Sequence, residues 1–403
     1  MRISTNQFYN LNSNHMSRLQ TTSNQTLMQL STGKRVDTAA DDSSAAIVLD
    51  NLKQQDQQLE QFQNNINLAN NRLMQQESYM GEYGNVLLSL RDKVLQGNDG
   101  ALDASGRAAL ALDIEEGLKS VLAIANSRDE NGNFIFSGHQ GSQKPFIEGA
   151  DGKVHYMGDS GRRRAEVADG VTLPVSESGE RIFMNPSNAS GPYRADYGSA
   201  TMEGELFLER SQILYPSEHV AGPMQLQFGE DADGNTTIQV FDSNNTALLA
   251  DDTLFDAGSQ LQVNGMALSF SGSPANGDTM TLYEQDTMDV FSSLQTVVGL
   301  LRDPEGMSGF KTQAIYAQAL DDISSAQAEA SSVQAETGNY LKSLDSYLDQ
   351  HQSMKLVNAQ AKSSLEDLDY AEAITRLEQQ SLALNAVTQS FAKLQNISLF
   401  NYI

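Results

Sequence analysis

Residues able to do chemistry are present in this chain, but their spacing does not organise a site. Asp231-Ala-Asp-Gly-Asn235 opens like a calcium loop, with oxygen-bearing side chains at alternate positions. Its glycine is misplaced for the EF-hand turn and no bidentate glutamate closes it, so a hairpin turn is the expected reading. The histidines, His15, His139, His155, His219 and His351, are scattered. None has a second ligand three or four residues away, as a zinc site on a helix requires. No glycine-rich loop carries a phosphate-binding lysine, and no serine sits in a nucleophile elbow. The chain has no cysteine, which removes thiolate ligands and thiol nucleophiles together and leaves no disulfides from which to read redox location. Arg162, Arg163 and Arg164 form a basic run in a chain of formal net charge -26. They read as a solvated strand edge or a local ion-pair patch rather than an anion site. Asn188-Ala-Ser190 and similar triplets arise by chance in Asn-rich sequence and establish nothing about glycans. No catalytic, cofactor-binding or metal residues are assigned.

The elements that would have to position such groups are unlike those of a compact enzyme. Ala45, Leu52, Leu59, Ile66, Leu73, Met80, Leu87 and Val94 repeat by seven, with Val48, Phe62, Ala69, Tyr83 and Leu90 three residues past rungs of that ladder. This is the seam of one long helix, reaching on the order of 75 Å at ~1.5 Å rise per residue. Ala326, Val333, Tyr340, Tyr347, Met354, Ala361 and Leu368 repeat by seven near the other end, so a second rod can return along the first. From Phe134 to Tyr283 the period changes to two, as in VTLPV, RIFM and MQLQF. Asn264-Gly265, Asp151-Gly152 and Asp233-Gly234 supply hairpin turns there. The expected fold is α+β: a long antiparallel coiled-coil-like helical rod built from both chain ends, with an inserted antiparallel β head. Residues 1–44 and 366–403 are read as terminal assembly helices, 45–135 and 286–365 as the rod, and 136–285 as a β-rich head of one or two lobes.

Gly33 is expected to end the first helix, Asp41 and Asp42 to begin the long one, and Asp369 with Glu372 to open the last. No acid occurs between Met1 and Val36, nor between Gln379 and Ile403, although acids outnumber bases two to one overall (52 against 26). Sparsely charged, amide-rich ends are suited to packing against each other or against copies of themselves. Met16, Leu19, Leu27 and Leu30 at one end, and Leu377, Leu384, Val387, Phe391 and Leu394 at the other, fit one face of each helix. All of these but Met16 are the expected assembly or chaperone-binding residues. The acidic balance argues against nucleic acid as a partner. The opening MRISTNQFYNLNSNHMSRL has no apolar run and no later window suits a membrane span, so neither a Sec signal nor membrane insertion is expected.

Leu30-Ser-Thr-Gly-Lys-Arg-Val36 followed by Ala39-Ala-Asp-Asp-Ser-Ser-Ala-Ala-Ile47 resembles the N-terminal signature of bacterial flagellins and their relatives. The stretch from Asp369 through Arg376 to Ile403 resembles the C-terminal helix of that family, so the likeness covers residues 1–130 and 294–403. Phe134-Ile-Phe-Ser-Gly138, Gly277-Asp278 before TMTLY, and the closing Asn401-Tyr402-Ile403 depart from filament flagellin in the direction of the family's hook-filament junction subunits. The resemblance implies a structural subunit of the bacterial flagellum, exported through the type III apparatus to an extracellular position. It also implies a cytoplasmic export chaperone on the C-terminal helix, and a ring of neighbouring copies between the first junction protein and flagellin. Filament flagellin is the alternative within the family. A secreted adhesin or enzyme with a functional β head is the alternative of another class; it needs convergent His, Glu or Ser in the β region, and the sequence shows none.

Overall fold

The computed structural model describes residues 2–98, 102–250, 253–303 and 309–396. Among the described residues there are six helices: α1 (Arg2–Thr32), α2 (Ser43–Gly97), α3 (Ala104–Ala125), α4 (Val290–Arg302), α5 (Phe310–Glu366) and α6 (Tyr370–Asn396). Twelve strands lie between α3 and α4, so the fold is α+β, with long helices from both chain ends and an inserted antiparallel β region. The residues divide into a terminal unit, Met1–Asn64 with Ser346–Ile403, and a middle unit, Asn65–Asp345.

In the middle unit the rungs Ile66, Leu73, Met80, Leu87 and Val94 of α2 are all buried. The opposing face of α5 begins as the heptads predict, with Ala326 and Val333 buried. From there the seam leaves the expected Tyr340, which is only partly buried, and passes to Thr337 and Leu344. Thr337 is held by the buried amide of Gln76, 2.9 Å from its hydroxyl. Within the terminal unit the buried residues of α5 are His351, Asn358 and the terminal Glu366, while the expected rung Met354 is exposed. His351 stacks on Phe62 and Asn358 donates to Asp56 at 3.0 Å. The covered positions Ile323, Ala330, Thr337, Leu344, His351 and Asn358 themselves repeat by seven, three residues before the expected rungs, so the seam is the neighbouring heptad stripe of the same helix. Polar residues can occupy that stripe because each finds a partner.

The β region builds two lobes of different kinds. The first follows a loop closed by Asn126, whose amide both donates to the Phe146 carbonyl and accepts from the Phe146 N–H at 3.0 Å. It holds the hairpins β1 (Phe146–Glu148) with β2 (Val154–Tyr156) and β3 (Arg164–Ala168) with β4 (Val171–Pro174). RIFM, expected as a strand, is a π-helical turn, Glu180–Met184. A strand would send Ile182 and Phe183 to opposite faces, whereas both are buried here. Phe183 sits among Tyr83, Phe136, Phe146 and Phe291, with ring centroids 4.8 to 6.3 Å away. Helices and first lobe thus share one core.

The second lobe has a five-stranded sheet ordered β5 (Tyr193–Thr201), β12 (Thr279–Glu284), β7 (Met224–Glu230), β8 (Thr236–Phe241), β9 (Thr253–Leu254). A three-stranded sheet is ordered β10 (Leu261–Val263), β11 (Met266–Ser273), β6 (Glu205–Ile213). All pairings are antiparallel. Alternate residues such as Tyr193, Leu206, Leu226, Ile238, Leu268 and Leu282 form a separate core, which Ala314 of α5 also enters. The Asn264-Gly265 turn pairs Val263 with Met266 as the sequence suggests, both turn residues having positive φ.

Candidate assembly surface

In the terminal unit the two turns that follow α1 and α5 are fastened to each other. Gly33 ends α1 with φ +72, the left-handed conformation that favours glycine, and a Cβ there would also displace the exposed Tyr370 hydroxyl, 2.8 Å away. Arg35 N donates to the Glu366 carbonyl at 2.6 Å and Leu368 N to the Gly33 carbonyl at 3.0 Å. The Lys34 ammonium pairs with Glu366, which holds it above the usual lysine range, while the Arg35 guanidinium donates to the Leu365 carbonyl at 2.8 Å. The Leu30–Val36 segment therefore ties the two chain ends together.

The two acids that follow divide the work that the sequence assigned to both. Asp42 caps α2, accepting from Ser44 N at 3.1 Å and Ala45 N at 3.0 Å. Asp41 instead fixes the linker, accepting from Thr38 N at 2.9 Å and from the Gln25 amide at 2.7 Å. Hydrogen bonds, led by the Ala45 N–H for Asp42 and the Thr38 N–H for Asp41, hold both carboxyls below the usual range. Asp369 caps α6 through Ala371 N and Glu372 N, but Glu372 pairs with Arg376. Only half of the expected reciprocal box forms.

Helices α1 and α6 pack against each other. Their covered stripe includes Leu19, Thr26 and Leu30 of α1, and Ala373, Leu377, Leu384 and Val387 of α6. Five of the anticipated assembly residues, Leu19, Leu30, Leu377, Leu384 and Val387, are therefore already half-covered within the subunit. Leu27 is exposed, and the side chains of Phe391 and Leu394 lie outside those described. The large apolar side chains left open on these helices include Met28, Ile374 and Leu382, the last 70% exposed. Heptad reading missed them because it selects one stripe, and that stripe serves the α1–α6 contact. For Met28 and Leu382 the absence of acids nearby was the available signal, whereas Ile374 lies between Glu372 and Glu378.

The other chemical candidates resolve into structure. Asp231 accepts from Asp233 N and Asn235 N at 2.9 and 2.8 Å and from the Asn235 amide at 2.9 Å, which hold its carboxyl low. The same turn recurs at Asp129 and Asp242, with Gly132, Gly234 and Asn245 at the position of positive φ. These carboxylates are occupied in closing turns. Arg162 pairs with Glu177 at 2.9 Å, Arg163 donates to the carbonyls of Phe134 and Gly138, and Arg164 to that of Thr172. No group of His, Asp and Glu suited to a metal ion occurs among the described residues, and no described helix is long and apolar enough to cross a membrane.

Residues 3–141 match the family model of the bacterial flagellin N-terminal helical region. Flagellar hook-associated protein 3 of Salmonella typhimurium is 28% identical over 192 residues, covering 48% of this chain and 60% of that protein. The protein of the same name from Escherichia coli is 27% identical over 248 residues, covering 62% and 74%. Among solved structures, the flagellar hook associated protein-3 of Legionella pneumophila superposes with a TM-score of 0.69 at 25% identity, covering 78% of this chain and 98% of that one.

Proposed function

Because the chain belongs to the bacterial flagellin family, on the side of hook-associated protein 3 rather than of filament flagellin, we propose that it is a structural subunit of the hook-filament junction. It acts by assembly and not by catalysis. Its terminal helices α1 and α6 contact neighbouring copies in a ring, which seats on the first junction protein below and receives flagellin above. The subunit reaches its extracellular position through the flagellar type III apparatus, with a chaperone covering α6 beforehand.

The observation that carries this reading is the open apolar surface of α1 and α6 beside their freedom from acids over 1–36 and 379–403. Such a surface left in water is a liability until a partner covers it. Leu27, Met28, Ile374 and Leu382 are the side chains proposed to make the new contacts, with Phe391 and Leu394 continuing the C-terminal stripe. Leu19, Leu30, Leu377, Leu384 and Val387 are proposed to hold the two helices as one docking body. Residues 1–44 with 366–403 are thus proposed as the assembly part, 45–135 with 286–365 as the rod, and 136–285 as a solvent-facing β region.

Immunogold labelling of isolated flagella tests the proposal. A single labelled band at the hook-filament boundary is expected. Label along the whole filament would establish filament flagellin instead, and label absent from flagella altogether would favour a secreted adhesin or enzyme.

A further inference from the structure

We infer that residues 189–286 form a pivoting lobe, hung from one two-stranded neck and locked onto α5 by a single buried ion-pair bolt, Arg194 with Asp322. The chain enters and leaves the lobe side by side. Ser187 pairs with Thr287, Asn188 N donates to the Asp286 carbonyl at 2.9 Å, and Met288 N to the Pro186 carbonyl at 2.8 Å. The buried Asn188 amide reaches the carbonyls of Gly191, Tyr193 and Gln285 at 2.8, 3.1 and 3.0 Å, so both strands of the neck are fixed at one point. A lobe with its own core, attached through so few residues, can turn by changing a few backbone angles while both cores stay packed.

Its seat on α5 contrasts with that of the first lobe. Phe146 and Phe183 are built into the helical core, whereas the second lobe keeps its own core and meets α5 through a set of polar contacts beside a few apolar ones. The Arg194 guanidinium grips the Asp322 carboxylate at 2.7 and 2.6 Å, and the Ser293 hydroxyl donates to the same carboxylate at 2.5 Å. Gln318 donates to the Ala195 carbonyl at 3.1 Å and Lys311 to the Gly198 carbonyl at 2.6 Å. The apolar contacts include Ala314, Ile315 and a Phe207–Phe310 ring pair at 4.3 Å. Clefts of about 410 and 240 Å³ lie along this seat, with Gln318 and Tyr197 in the walls of both. The clefts interrupt the packing between the lobe and α5, so this seat is less completely packed than the first lobe's. Asp322 is 1% exposed, which makes the Arg194 contact the one that must hold: a buried carboxylate tolerates solvent exclusion only while paired.

The chain contains no cysteine, so introduced thiols are unique labelling sites. Spin labels at Ala232→Cys in the β7–β8 turn and Ser324→Cys on α5 report the lobe position by pulsed dipolar spectroscopy on the full chain. A second pair, Ser120→Cys with Ser331→Cys, reports α3 against α5. In the unmodified background both pairs are expected to give one narrow distance. Arg194→Met/Asp322→Met removes the bolt without leaving a buried charge, and should broaden the lobe distance or add a second one while the helix pair and total helicity stay unchanged. A lobe distance as narrow in the double variant as in the parent would overturn the inference. Equal broadening of both pairs would overturn it too, since the ion pair would then hold the whole middle unit rather than the lobe alone.

Discussion

Leu73, Met80, Leu87 and Val94 in the middle unit keep at most 1% of their surface in solvent, whereas Leu27, Met28, Ile374 and Leu382 on the terminal helices keep half or more. Both sets are large apolar side chains on long helices. The difference is whether the chain supplies the cover. In the middle unit α2 is covered by α5, α3 and the first lobe, and burial of each large apolar side chain contributes about 1.5 to 3 kcal/mol. In the terminal unit α1 and α6 cover one stripe of each other and leave the next stripe to water. A covered set and an open set are thus combined in a single chain by distributing the same kind of residue differently.

The most severe test of this contrast is Ile66→Asp. Ile66 is buried on all sides, and an unpaired carboxylate there is expected to cost on the order of 4 kcal/mol or more. Loss of the long-helix circular dichroism signal in the isolated subunit is the expected result; unchanged melting would mean that this face of α2 is open to another molecule. Next in size is Phe183→Ala, which empties the aromatic cluster shared by helices and first lobe and should lower stability by about 3 to 5 kcal/mol in denaturant titration. The same logic separates two deletions. Replacing 189–286 by a short Gly/Ser linker should keep the helical fold, because Asn188 N and the Asp286 carbonyl are only 2.9 Å apart. Replacing 141–284 also strips Phe146 and Phe183 from the core, and its thermal unfolding should fall well below that of the shorter deletion.

A smaller effect is expected where the first lobe is pinned to α5 by charge. Arg181 reaches Glu336 at 2.7 and 3.0 Å and Glu329 at 2.7 Å, and its hydrogen bonds hold the Glu336 carboxyl below the usual 4.5. A lowered carboxyl pKa contributes stability that is complete above 4.5 and is lost as the pH falls from there through the depressed value. Both partners are partly exposed, so the contribution is about 1 kcal/mol after solvent screening. Arg181→Gln should remove that part of the acid dependence; identical pH-stability profiles for parent and variant would show that the ion pair adds nothing. The smallest change in subunit stability, within about 0.5 kcal/mol, is expected for Leu27→Ser/Leu382→Ser, both being exposed already. That variant should nevertheless fail to join the junction in flagella isolated from complemented cells. Normal incorporation would move the docking surface elsewhere.

By itself the sequence determined the features that depend on near neighbours. Gly33 ends α1, Asp42 begins α2, and Asn264-Gly265 and Asp233-Gly234 turn the strands, because each signal involves residues only a few positions apart. The ladder from Ile66 to Val94 was legible for the same reason: one helix carries the whole pattern. Tertiary structure decided what distant chain covers each surface. Thr337, His351 and Asn358 took the places expected for Tyr340, Met354 and Ala361 because Gln76, Phe62 and Asp56 stand opposite them. RIFM coiled into a π-helical turn because Phe183 is drawn into an aromatic cluster contributed by α2, α4 and the first lobe. On α6, Leu384 became half-covered while Leu382 stayed open, a distinction set by α1. Periodicity states that a helix has an apolar face, and only the partner's position states which part of that face is already covered.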